Sequence, residues 1–260
     1  MDIVLLKLGG SLITEKSRAE TPRPEVIARL AGEIARAARE APFRLIAGHG
    51  SGSFGHVAAR ESGIAGGLHS EAQLPGVSRT QERAAALHHL VIQALEDAGA
   101  LPFSIAPSSC IVAAAGRPVA FHDEPLLLAL ERGLLPVLYG DVVMDRERGV
   151  SICSTETVFD AVARRLLEKG YAVRRALWLG ETDGLYDAEG RTIPRVSAAD
   201  ALDAIGDPSG TDVTGGMRHR IESTLELARL GIPSVLIKGL RAGELEKAIS
   251  GEGVQGTEVV

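Results

Sequence analysis

Two lysines and two histidines frame the glycine turns of this chain. Lys7 and Lys16 bracket Gly9-Gly10-Ser11 in KLGGSLITEK, and His49 and His56 close the two ends of HGSGSFGH. Glycine suits an anion site because the missing Cβ permits a sharp turn and close backbone approach. Successive amide N–H groups ahead of a helix then supply donors and positive potential. A lysine inside an apolar strand is costly unless its ammonium meets an anion at the strand's end, which marks Lys7 as functional; Lys16, in a polar loop, is equally well explained by solvation. Further glycine turns occur at Gly140-Asp141, at Thr182-Asp183-Gly184 and in DVTGGM at 212–217. If the preceding strands are parallel, most of these turns meet at the carboxyl edge of one sheet, where α/β proteins bind ligands.

The spacing Gly50, Gly52, Gly55 also satisfies G-x-G-x-x-G, the dinucleotide fingerprint. That reading needs a helix directly after the loop and a strand ending in an acidic residue about 20 positions on. Glu71 stands at that distance but within GGLHSEAQLPG, which is no strand. The P-loop pattern and the protein-kinase signature set are both missing. The phosphates of a nucleotide and of an acceptor suit these turns better than a dinucleotide does.

Strand-like apolar runs alternate with helix-period segments along the 260 residues, predicting a mainly parallel sheet with helices on both faces, and the length suits either one large α/β domain or two lobes. IVLLKLGG leads to a helix over 24–40, FRLIAGHG leads through a long polar loop to a helix beginning near residue 78, and LLPVLYGDVV leads to a helix from Thr155. A further helix is expected over about 215–230. Residues 61–78 and 188–211 read as lids or substrate loops. A net charge of −6 and an aromatic content of 3% argue against nucleic-acid binding. Cys110 and Cys153 read as reduced core residues, and the N-terminus lacks a signal peptide or membrane span, so a cytoplasmic protein is expected. His88 and His89 point apart on their helix, and His69 and His122 lack ligand-spaced neighbours, so no protein metal site is predicted.

The pattern KLGGSLIT, STETVFDAVA, TDGLYD, DVTGGM and GTEV resembles the amino acid kinase superfamily along almost the whole chain. His49–His56 is similar to the H-G-[GA]-G-S-F-G-H of the isopentenyl phosphate kinases, with Ser51 as the departure. The resemblance implies a three-layer αβα sandwich with a mainly parallel central sheet in a single domain, usually a homodimer, that moves the γ-phosphate of ATP onto isopentenyl phosphate with Mg²⁺. It implies an acceptor-binding half over about 1–172 and a nucleotide-binding half over about 173–260. Lys7, Leu8, Gly9, Gly10 and Ser11 would contact the ATP phosphates, and Gly52, Asp183, Gly216 and Arg220 would contact the nucleotide. Lys16 would stabilise the transferring group. His56, with the backbone around Ser51, Gly52, Ser53 and Gly55, would hold the acceptor phosphate, and Thr155 would lie near it. Magnesium would be held mostly by the ATP phosphates.

Two residues depart from the family's pattern. Thr155-Glu156 stands where Gly-Asp is usual, which keeps a carboxylate but extends it by one methylene, and Arg220 replaces a lysine, a planar fork for a point charge. A phosphate monoester is already largely a dianion near neutral pH, its second pKa being about 6, so the expected role of His56 is hydrogen-bond donation, not general-base catalysis. Two alternatives remain open from sequence: a kinase of the same fold acting on another small phosphate or phosphonate of the fosfomycin type, and a non-catalytic nucleotide-binding module.

Overall fold

The computed structural model describes residues 1–187, 189–197, 200 and 215–260, with the backbone alone at 215–219. Strand β1 (Asp2–Leu8) is, after Asp2, an aliphatic run broken only by Lys7, and burial of both its faces is what a central parallel strand requires. It pairs in parallel with β2 (Arg44–His49) on one side and β9 (Ala172–Gly180) on the other. Beyond β2 lie β6 (Leu135–Tyr139) and β3 (Pro102–Ser104); beyond β9 lie β11 (Ser234–Lys238), β12 (Gly256–Val259) and β10 (Arg195–Val196). Among the described residues this sheet has eight strands, and only its β11–β12 pair is antiparallel.

Alternate side chains of β1 feed two cores. Val4, Leu6 and Leu8 pack with α2 (Pro24–Glu40), α4 (Leu74–Asp97) and α9 (Glu244–Ser250), whereas Ile3 and Leu5 pack with α7 (Thr155–Glu168) and α8 (Gly215–Arg229). The expected three-layer αβα sandwich is therefore observed. Helix α2 starts at Pro24 with Glu25 in its first turn, both suited to a helix N-terminus, and buries Ile27, Leu30, Ala31 and Ile34 at helical spacing. The Ser154 side chain caps α7 by accepting from the Thr157 amide at 3.2 Å.

Strand β1 passes the chain to β2 through α2 on one face, and β9 passes it to β11 through α8 on the other. Because β1 and β9 are neighbours, a crevice opens between their carboxyl ends, the switch point at which such sheets bind ligands. The sheet runs unbroken across residue 172, since β1 pairs with β9 along its length.

Two expectations need correction. The run LLPVLYGDVV is not one strand: β6 ends at Tyr139, and after Gly140 the chain enters β7 (Asp141–Asp145) in a second sheet. That sheet, ordered β5 (Arg117–Phe121), β4 (Ile111–Ala114), β7 and β8 (Gly149–Cys153), is tied to its neighbour by the loops, and its short strands left no clear period in the sequence. The glycine loop is not followed by a long polar connection either. Helix α3 (Gly52–Glu61) begins inside the motif and buries Phe54, Ala58 and Ala59, and α4 starts at Leu74 after a single 3₁₀ turn at Glu71–Gln73. Of the expected loop 188–211, Ala188, Ala198, Ala199 and residues 201–211 lie outside the described residues, as does Asp212-Val213-Thr214 of DVTGGM. No described helix is long and apolar enough to cross a membrane.

Candidate active site

The odd-numbered side chains of β1 face α7, which decides where Lys7 goes. Its ammonium is buried at the carboxyl end of the strand and hydrogen-bonds the Glu156 carboxylate, one residue into α7. Burial pulls the Lys7 ammonium below its ordinary range, with Glu156 opposing and Arg220 reinforcing the fall. Burial alone would raise Glu156, but Lys7 and Arg220 together hold its carboxyl below the usual range. The Arg220 guanidinium, also buried, covers the crevice between β1 and β9: a Cβ on Gly180 would stand 2.5 Å from its Nη1, and one on Gly9 would stand 3.5 Å from its Nη2. Its Nε has no hydrogen-bond partner among the described residues. A lysine, a carboxylate and an arginine thus share one desolvated pocket with a net positive charge.

The two glycine turns meet above this pocket. A Cβ on Gly10 would lie 2.5 Å from the Gly52 nitrogen, and one on Gly50 would lie 2.9 Å from the Gly10 nitrogen, so the turn after β1 and the turn after β2 touch backbone to backbone. Gly52 has a φ of 50°, which opens α3 sharply against Thr14. Several amides of these turns are committed internally. Gly9 donates to Leu179, Gly50 to Leu8, Phe54 and Gly55 to Ser51, and Ser53 to the Thr14 hydroxyl. The amides of Gly10, Ser11, Ser51 and Gly52 have no acceptor among the described residues. They sit at the N-termini of α1 (Gly10–Ile13) and α3. His56 is exposed one turn into α3, and Lys16 is exposed on the loop after α1 with its Nζ 3.7 Å from Glu181 Oε2.

The sequence profile of the "Amino acid kinase family" matches residues 2–238. This chain belongs to the amino acid kinase family. Among its curated relatives, the isopentenyl phosphate kinase of Methanothermobacter thermautotrophicus is 34% identical over 99% of this chain and 98% of the relative. That of Haloferax volcanii is 33% identical over 87% and 89%. A solved structure of isopentenyl phosphate kinase, 31% identical, superposes with a TM-score of 0.82 over 98% of this chain and 99% of that one. Within the amino acid kinase family, the chain therefore falls among the isopentenyl phosphate kinases.

The remaining residues singled out by the amino acid kinase resemblance fall around the same edge. Leu8 lies at the end of β1 and contributes its carbonyl to Gly50. Thr155, at the start of α7, donates its hydroxyl to the His49 carbonyl at 2.6 Å and is fully buried, so its side chain shapes the loop. Asp183 is a knot of three loops, accepting from Tyr186 on Oδ1 and from Arg241 and Gln255 on Oδ2, the last two at 3.1 Å. Gly216 lies in the first turn of α8.

Sequence reading missed Glu181, which takes Arg23 at 3.2 Å and Lys16 at 3.7 Å and so links the loops after β1 and β9. An acidic residue directly before TDG, at the end of a strand, was the signal available. It also missed that His49 is fully buried and bonded to His88. Among the described residues, no three His, Cys, Asp or Glu side chains converge as a metal cage.

Proposed function

We propose that this protein is an isopentenyl phosphate kinase, transferring the γ-phosphoryl group of ATP to the phosphate of isopentenyl phosphate to give isopentenyl diphosphate and ADP. The reading rests on the junction of the two glycine turns, where four open amides lie above buried Lys7 with His56 exposed at the rim. Curated relatives and a solved structure bearing that name support it along nearly the full length.

The obstacle to this reaction is mutual repulsion of two anions, since the acceptor is already a nucleophile. An oxygen of the acceptor phosphate bonds to the γ-phosphorus as the bond from that phosphorus to the β,γ-bridging oxygen breaks, and ADP leaves with the electron pair. Little covalent work falls to the protein in such a transfer; positioning and positive charge carry it. Gly10 and Ser11 would donate to the ATP phosphates, with Lys7 and Arg220 beneath them. Ser51 and Gly52 would donate to the phosphate that His56 holds from the other side, and Lys16 would close over the transferring group. Glu156, Glu181 and Asp183 are each engaged by cations or hydrogen-bond donors, so the site suits a Mg²⁺ ion carried in on the nucleotide and not one caged by carboxylates. That ion would neutralise charge on the ATP phosphates. The division into an acceptor half and a nucleotide half, a homodimeric assembly, and a cytoplasmic setting suited to the free thiols of Cys110 and Cys153 belong to the same proposal.

A coupled ADP-release assay with isopentenyl phosphate, dimethylallyl phosphate, fosfomycin and UMP tests it. Turnover greatest with isopentenyl phosphate is expected. Preference for fosfomycin would assign the site to a phosphonate, and ATP binding without turnover of any acceptor would make the protein a regulatory module.

A further inference from the structure

A buried hydrogen-bond chain runs from α4 into the glycine loop. His49 Nδ1 lies 3.1 Å from the Gly50 carbonyl oxygen, His49 Nε2 lies 2.9 Å from His88 Nδ1, and His88 Nε2 lies 2.8 Å from the Ser104 hydroxyl. Both imidazoles are at most 5% exposed, and Tyr139 stacks on each, its ring centroid 4.2 Å from that of His88 and 5.8 Å from that of His49. Burial, chiefly, lowers the pKa of His49 to about 4, with Lys7 adding to the fall, and that of His88 to about 2, where a second charge would also meet His49 and His89, so both rings are neutral near neutral pH.

A neutral imidazole carries one donor and one acceptor, and a carbonyl oxygen can only accept. The Gly50 carbonyl therefore requires the proton of His49 on Nδ1. His49 Nε2 must then accept, which puts the proton of His88 on Nδ1 and leaves His88 Nε2 to accept from Ser104. One arrangement of protons satisfies the chain. Its end point is the peptide between Gly50 and Ser51, which is trans and planar, so its C=O and N–H point in opposite directions. Holding the Gly50 carbonyl on the imidazole side turns the Ser51 amide to the other side. That amide has no acceptor among the described residues, and the peptide before it is already fixed, with the His49 carbonyl accepting from Thr155 and Gly140.

We propose that His88 is a positioning residue for acceptor-phosphate recognition: acting through His49, it locks the Gly50–Ser51 peptide with the Ser51 N–H presented to the anion. This rests on the kinase reading for the identity of that anion. His88→Leu removes the donor to His49, while His88→Gln keeps one donor and one acceptor. His88→Leu is expected to raise the KM for isopentenyl phosphate about fivefold and leave the KM for ATP within about twofold, whereas His88→Gln stays near wild type. Equal effects of the two substitutions, or a lowered Tm with both KM values unchanged, would overturn the proposal. Ring-nitrogen NMR of the wild type, with inorganic phosphate titrated against the Ser51 amide, reads the lock without turnover. A His49 ring protonated on Nδ1 and a Ser51 amide that shifts with phosphate, less so in His88→Leu, are expected; a ring protonated on Nε2 or an unmoved amide contradicts it. A wild type inactive on isopentenyl phosphate would remove the substrate reading alone, leaving these spectra to decide the lock.

Discussion

Gly10 and Gly52 stand in backbone contact, so that a Cβ on Gly10 would lie 2.5 Å from the Gly52 nitrogen and 2.7 Å from its Cα. Two glycine turns from separate βα units thereby meet, which is what the proposed binding of two phosphates side by side requires. Gly10→Ala must part them, because the obstructing atoms are backbone and cannot rotate away. It is expected to cut kcat/KM at least about tenfold, equivalent to ~1.4 kcal/mol, and to lower Tm. Steady-state kinetics and a thermal melt check both.

Breaking the Lys7–Glu156 pair leaves a buried ammonium without its counter-charge. Glu156→Gln is expected to reduce unfolding free energy by about 3 kcal/mol in a urea titration. ATP should then raise the Tm of the variant more than that of the wild type, since its phosphates restore the missing negative charge beside Lys7 and Arg220. An equal ATP-induced shift in both proteins would place the nucleotide phosphates elsewhere.

Asp160 joins α7 to α8 by accepting from Ser223 at 2.6 Å. Burial pushes its pKa from 3.8 to about 7, helped by Glu226 and Glu156 and opposed by Ser223 and Arg164. The folded state thus holds this proton more tightly than the unfolded chain does. Below the unfolded value both states are protonated and the group is neutral to stability; between there and about pH 7 the ionised unfolded chain gains, and stability falls. Asp160→Asn, neutral at every pH, is expected to raise Tm at about pH 8 and to lose that advantage by about pH 4, as melts at the two pH values would show.

Lys16 and His56 should separate kinetically. A charge that meets the transferring group matters most in the transition state, so Lys16→Ala is expected to lose chiefly kcat. His56→Ala is expected to raise the KM for the monophosphate at least about tenfold with a much smaller effect on ATP. Unchanged kinetics in either variant would remove that residue from the site.

The centre of the main sheet was legible because β1, β2 and β6 are buried along nearly their whole length and read as apolar runs closed by glycine turns, whereas the short, exposed edge strands β3 and β10 carry no such pattern. The small sheet was not: β4, β5, β7 and β8 are four or five residues each, and Gly140 passes the chain between sheets without interrupting the apolar pattern. Helix α3 was hidden by Gly52 and Gly55, poor helix formers held in place by tertiary packing of Phe54, Ala58 and Ala59. Among the site residues, the placement of Lys7 at the strand's end beside an anion followed from burial cost, although the anion it meets is Glu156. The partnerships of Glu181, Asp183 and His88 did not, because each depends on a side chain brought from 16 to 158 positions away.

Phosphoryl transfer to isopentenyl phosphate can be watched directly by ³¹P NMR of the purified protein with ATP, Mg²⁺ and isopentenyl phosphate. The monophosphate resonance is expected to give way to the coupled pair of a diphosphate ester as ADP accumulates. A monophosphate signal that persists while ATP is consumed on fosfomycin, or while ATP remains intact with every acceptor, would contradict it.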